Sequence, residues 1–240
     1  MIFVVLGIVA VFAAVIGVSL WQGRSNPTDF EGYNLGEVIA ADDQTGGFEE
    51  MIAGDKDAPI KIFEYGDYQC TACAPTNPYV NQIIEEYDGQ VAVVFRLFIM
   101  SYHQNGTAAA SAALAAAKQG YWQEYKDLLF ANQNDWYYSD AATRQQQFEG
   151  YFEKVTNGKG DLEKFRKDML SDEVKQKIAF DRGLYEKQTA ADNEADQWTP
   201  MFYVGGKLID QRDMKTEDFL SALRSAIDAE MKERGIEKKK

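Results

Sequence analysis

The chain carries two cysteines, and they fall together as Cys70-Thr71-Ala72-Cys73. At that spacing one thiolate can attack a disulfide and the other can resolve the mixed disulfide that forms. Other readings of a cysteine pair fit less well. A buried cysteine can be no more than a small apolar residue. A structural zinc site needs about four Cys or His ligands, whereas the chain has two cysteines and one histidine, His103. A purely structural disulfide across so short a loop would constrain little of the unfolded chain. The pair therefore reads as a working dithiol.

The elements that must position it can be read on either side. The apolar run Ile60-Lys61-Ile62-Phe63 leads into the motif as a strand, and a helix from Thr71 to about Tyr87 leads out of it. A cysteine at a helix start feels the positive end of the helix dipole and unpaired N–H groups, which favour its thiolate. Pro75 suits a first turn, while Pro78 predicts a kink or a restart. A second strand follows over 91–98, and strand–helix–strand predicts a right-handed crossover with a parallel pair. A long helical stretch then covers about 105–190, with an Ala-rich run and Trp122, Tyr125 and Leu129 at helical spacing as core. Met201-Phe202-Tyr203-Val204, Gly205-Gly206 and Lys207-Leu208-Ile209 form a hairpin pattern. A last amphipathic helix starts near Thr216, with Phe219, Leu220, Leu223 and Ile227 on one face.

The net charge of −13 over 240 residues argues against nucleic acid as a partner. No charged side chain occurs before Arg24, and Ile2 to Trp21 is almost unbroken apolar sequence. At ~1.5 Å per residue, about twenty residues cross the ~30 Å hydrocarbon layer of a bilayer. Residues 1–22 are therefore expected to be a transmembrane anchor, with a cleaved signal segment as the alternative. The flanking charge does not place the domain outside the cytoplasm; the expected chemistry does. Residues 23–47 are polar, acidic and Gly-punctuated, and read as a flexible linker. The folded domain is expected over 48–240.

Several matches in order resemble a DsbA-type thiol–disulfide oxidoreductase, in particular the membrane-anchored relatives of Gram-positive bacteria. They are Asp57-Ala58-Pro59-Ile60, Phe63-Glu64-Tyr65-Gly66-Asp67-Tyr68-Gln69-Cys70, and Phe95-Arg96-Leu97-Phe98 followed by His103. Gln119-Gly120-Tyr121-Trp122, Leu128-Leu129-Phe130 with Asn132-Gln133, and Thr199-Pro200 continue the series. The resemblance spans about 48–235. It implies an α/β, thioredoxin-like fold with a helical subdomain inserted between the two halves of the sheet. It also implies that Cys70 is an exposed nucleophile, Cys73 the buried resolving thiol, and Glu64 a buried carboxylate that relays a proton to or from Cys73. Glu64 could instead pair with a lysine or reach solvent. Thr199-Pro200 matches the family's cis-proline loop, whose backbone would face the Cys70 sulfur and pair with a substrate strand, with Trp198 beside it in the peptide groove.

Two departures bear on strength. The dipeptide Thr71-Ala72 lacks the His or Pro often found between the cysteines, and Asp67 lies close by in sequence. Both predict a Cys70 less acidic than in the strongest oxidants of the family. His103 is expected to be structural. The implied activity is oxidation of paired thiols in exported proteins, in a membrane-held, extracytoplasmic domain. Reoxidation would come from a membrane quinone reductase of the DsbB or vitamin K epoxide reductase type. No metal, nucleotide or flavin cofactor is implied beyond the Cys70–Cys73 pair. A reductase or isomerase, and a peptide-binding chaperone without redox turnover, stand as alternatives.

Overall fold

The computed structural model describes residues 30, 32–192 and 197–239. The expected anchor, residues 1–22, lies outside them. Among the described residues no helix is long and apolar enough to cross a membrane.

Five strands form one sheet: β1 (Met51–Gly54), β2 (Ile60–Gly66), β3 (Val91–Leu97), β4 (Met201–Val204) and β5 (Lys207–Ile209), in the order β1-β3-β2-β4-β5. β2 and β3 run parallel, and β1, β4 and β5 join antiparallel. The crossover between β2 and β3 is helix α1 (Cys73–Glu86). The helical insertion between β3 and β4 comprises α2 (Gly106–Ala117), α3 (Trp122–Ala131), the short α4 (Gln133–Trp136), α5 (Ala141–Val155), α6 (Leu162–Met169) and α7 (Asp172–Ala191). Helix α8 (Thr216–Glu233) closes the chain. This is a thioredoxin-like α/β fold with a helical insertion.

β2 and β3 are buried on both sides, as their near-continuous apolar runs require. The pleat sends alternate residues to opposite faces. Ile60, Ile62, Val91, Val93 and Phe95 join a core with α1, α8 and most of the insertion. Phe63, Tyr65 and Val94 join a second core with Phe180, Leu184 and Tyr185 of α7.

One element went unread in the sequence, and two expectations are corrected. β1 has no counterpart in the sequence reading, because four residues pairing at a sheet edge leave too little alternation to detect. Helix α1 begins at Cys73 rather than Thr71, and it continues through Pro78 as one helix. Over its described part the expected linker is packed against the domain. Phe30, Tyr33 and Leu35 lie against the second core and Ile39 is buried in it. Ring contacts and two cations of the domain explain this. Phe30 and Tyr33 meet Phe180 at 5.6 and 5.0 Å between ring centroids. Arg96 donates to the Leu35 and Glu37 carbonyls at 2.7 and 2.9 Å, and Lys187 donates to that of Tyr33 at 2.8 Å. Polar composition concealed a segment whose backbone carbonyls serve as partners for the buried Arg96 of β3 and the half-buried Lys187 of α7.

Candidate active site

The site lies where β2 ends, on the face of the sheet occupied by α1. From Asp67 to Cys70 the chain makes a tight turn fastened by the Asp67 carboxylate. One oxygen accepts the Gln69 N–H at 2.8 Å; the other accepts the Met100 N–H at 2.9 Å and meets His103 Nδ1 at 2.6 Å. That hydrogen bond to Asp67 raises the His103 pKa. The Asp67 carboxylate, expected to oppose a Cys70 thiolate, is tied to His103. The insertion holds the same turn from the other side. Gln133 donates to the carbonyls of Tyr68 and Cys70 at 2.7 and 2.9 Å, and Gln69 Oε1 accepts the Asn105 N–H at 2.6 Å.

The Cys70 carbonyl accepts the N–H groups of Cys73 and Ala74 at 3.1 and 3.3 Å, so α1 winds directly out of the nucleophile's own peptide. Both cysteines are free thiols. The Cys70 thiol is lowered to about 6, chiefly because the Cys73 thiol donates to it, with the N–H groups of Cys73 and Ala72 adding to the effect. Cys73 is fully buried, and burial with the neighbouring Cys70 pushes its thiol well above the ordinary value. The two groups are thus driven apart in acidity. Cys70 is only 8% exposed, less open than expected, because the loop carrying Thr199 closes over it. Its Sγ lies 3.3 Å from the Thr199 carbonyl oxygen.

The Thr199–Pro200 peptide bond is cis. Trp198 is half-buried; its N–H donates to the Tyr185 hydroxyl at 3.0 Å, and the Arg212 guanidinium lies 4.8 Å from its ring centroid. A groove of about 340 Å³ runs from the site, lined by Ala72, Pro75, Trp198, Pro200, Met214 and Phe219 among others. Its lining mixes apolar and polar groups.

Glu64 is buried on the α1 face, beside Phe95 and Phe202 in the sheet register. Burial raises its carboxyl to about 7, opposed by the charge of Lys126 and supported by Cys70. Lys126 is a residue that sequence reasoning missed. It comes from α3 and is 2% exposed. The signal was a lysine within the Trp122–Leu129 apolar face, where a charge must find partners inside the core. Gln133 was visible only as part of the family pattern, with no role attached.

A buried dithiol of split acidity at the start of a helix, facing a cis-proline loop in this fold, defines a thiol–disulfide oxidoreductase of the DsbA type. The chain belongs to the thioredoxin family, whose model matches residues 48–229. It is 31% identical over 192 residues to a probable disulfide bond formation protein D of Bacillus cereus, covering 76% of this chain and 79% of that protein. It is also 30% identical over 158 residues to a Na(+)/H(+) antiporter NhaA 3 of Salinispora tropica, but spans only 22% of that protein's length. In three dimensions it resembles BdbD from Bacillus subtilis, with a TM-score of 0.61 at 20% identity over 82% of this chain and 99% of that one. Wolbachia pipientis alpha-DsbA1 gives a TM-score of 0.55 at 22% identity, covering 77% and 92%. Likenesses at these identities speak for the fold.

Proposed function

We propose that the protein oxidises paired thiols in exported proteins, as a membrane-held domain on the extracytoplasmic side. The observation that carries the direction is the thiolate-favouring environment of Cys70. Stabilising the thiolate stabilises the reduced pair, which makes the oxidised pair a better electron acceptor. A substrate thiolate attacks Cys70 Sγ of the Cys70–Cys73 disulfide; the bond to Cys73 breaks, and Cys73 leaves with the electron pair and takes a proton. A second substrate thiolate attacks the substrate sulfur of the mixed disulfide, and Cys70 leaves as thiolate. The substrate gains a disulfide, and two electrons reside on the cysteine pair, with no other cofactor. The pair is reoxidised by a membrane quinone reductase of the DsbB or vitamin K epoxide reductase type. Residues 1–22 serve as the anchor, and the Trp198–Pro200 edge holds the substrate strand.

The test is the potential of the Cys70–Cys73 couple equilibrated against glutathione. The expected value lies above the ~−270 mV of thioredoxin, with ~30 mV corresponding to ~1.4 kcal/mol. A value at or below thioredoxin's would transfer the assignment to a reductase. Binding of peptides with no loss of function in Cys70→Ser would transfer it to a chaperone.

A further inference from the structure

The described N-terminal segment is built onto α7 at several points along the helix. The Asp43 carbonyl accepts the side-chain amide of Gln176, and Gly46 closes on the Glu173 carbonyl. Further along, the carbonyls of Phe30 and Tyr33 both accept the Lys187 ammonium. The Phe30 ring fills the place of a side chain at Gly183, where a Cβ would run into it. Gly183 stands in the interior of a 20-residue helix, where glycine is disfavoured; its missing side chain is what admits the ring. The Tyr33 hydroxyl donates to Asp42 at 2.6 Å, which ties the two halves of the segment together. Tyr185, between Gly183 and Lys187, accepts the Trp198 N–H at 3.0 Å, so the helix that seats the segment also carries the loop facing Cys70.

This packing fixes how much chain is left to act as a tether. From Gln22 to Phe48, which is buried in the first core, the backbone can extend ~90 Å; from Gln22 to Phe30 it can extend ~29 Å at most. A folded domain of about 190 residues is ~40 Å across. A tether shorter than the domain is wide keeps the domain at the surface to which its end is fixed. We propose that residues 30–47 are a docked strap that takes up most of the tether and holds Cys70 near the bilayer, so that its partners are cysteine pairs carried by membrane proteins. This rests on residues 1–22 serving as the anchor. The partner is defined by where its sulfur sits: in a loop of a membrane protein that stays close to the headgroups. A protein that has left the membrane surface gains no advantage from the strap.

The full chain, with the Cys70–Cys73 pair oxidised, is reconstituted with phosphatidylcholine vesicles, and flotation of the vesicles checks the anchor. The surface probe is a lipid with a thiol headgroup, and the soluble probe is dithiothreitol. Two headgroup thiols become one lipid disulfide, and the cysteine pair takes the two electrons and two protons; alkylation of the thiols that appear gives the rate. Gly183→Ala forces the Phe30 ring from its seat. Phe30→Ala combined with Lys187→Gln frees the segment with Gly183 in place. Amide exchange over 30–47 should rise in both. The reach of a chain grows as the square root of its length, so a tether lengthened about threefold should slow the headgroup reaction about twofold. The dithiothreitol rate should not change. Equal headgroup rates once the strap is released overturn the proposal, as does equal slowing with both probes, which would mean that the strap acts through the loop facing Cys70. Protection of 30–47 that survives both changes overturns it as well. If the protein does not float with the vesicles, the anchor reading falls and takes the proposal with it.

Discussion

At the scale of single residues the site works by dividing two identical thiols. Cys70 is lowered to about 6 by the Cys73 thiol and by N–H groups at the start of α1, while burial holds Cys73 far above the ordinary range. At pH 7 about nine-tenths of a thiol with such a pKa is ionised, against a few per cent for a free one near ~8.5. Iodoacetamide should therefore modify Cys70 more than tenfold faster than Cys73, with a midpoint near pH 6. Cys73→Ala should accumulate mixed disulfides with substrates and Cys70→Ala should not; equal trapping by both would dissolve the assignment. A stability consequence has a definite sign. The folded thiol is more acidic than the unfolded one, so its stabilisation of the reduced protein is present above about pH 8.5 and is lost as pH falls through about 6. Urea titrations of the reduced protein, compared with Cys70→Ser, should diverge at pH 8.5 and converge by pH 5.

At the scale of elements, one sheet presents different chemistry on its two faces. Glu64 points to α1 and the cysteines, while the next residues of β2 and β3, Tyr65 and Arg96, point to α7. On that second face Arg96 pairs with Glu50 at 2.7 Å, and Lys177 pairs with Asp181 at 2.8 Å and approaches Glu50 at 3.7 Å. Asp181 accepts the Leu97 N–H at 3.0 Å, so the network also tethers the end of β3. Removing one member of a buried pair leaves an uncompensated charge, at a cost of about 3–5 kcal/mol. Arg96→Leu should lose stability on that order in urea unfolding and release the 35–37 segment, seen as faster amide exchange there. A loss below about 1 kcal/mol would mean the network is solvated. The sequence showed Arg96 within a family pattern, but a buried arginine cannot be recognised until its four acceptors, from 35, 37, 50 and 65, are brought round it.

At the scale of the whole molecule, the insertion holds the turn that carries Cys70, and the described N-terminal segment packs against the second core on the other face of the sheet. The 42–47 loop packs on the start of α7 through Gly46, which has a φ of +66 and whose Cβ, if present, would lie 2.3 Å from the Glu173 carbonyl oxygen. Gly46→Ala should destabilise the protein by about 1–3 kcal/mol through overpacking and strain at positive φ. Differential scanning calorimetry is the measurement, and an unchanged midpoint would show that the loop does not bear on the fold. What the sequence determined by itself is local or covalent: the dithiol spacing, the strand feeding it, the parallel crossover, the helical insertion and the terminal hairpin. These follow from periodicity and from residues adjacent in the chain. The tertiary structure alone decided the rest. It set Lys126 on Asn77, Gln133 against the Cys70 carbonyl, His103 on Asp67 and the carbonyls of 33, 35 and 37 on Arg96 of β3 and Lys187 of α7. Each joins groups far apart in the chain, and a buried charge or amide takes its meaning from the partners that folding brings within hydrogen-bonding distance.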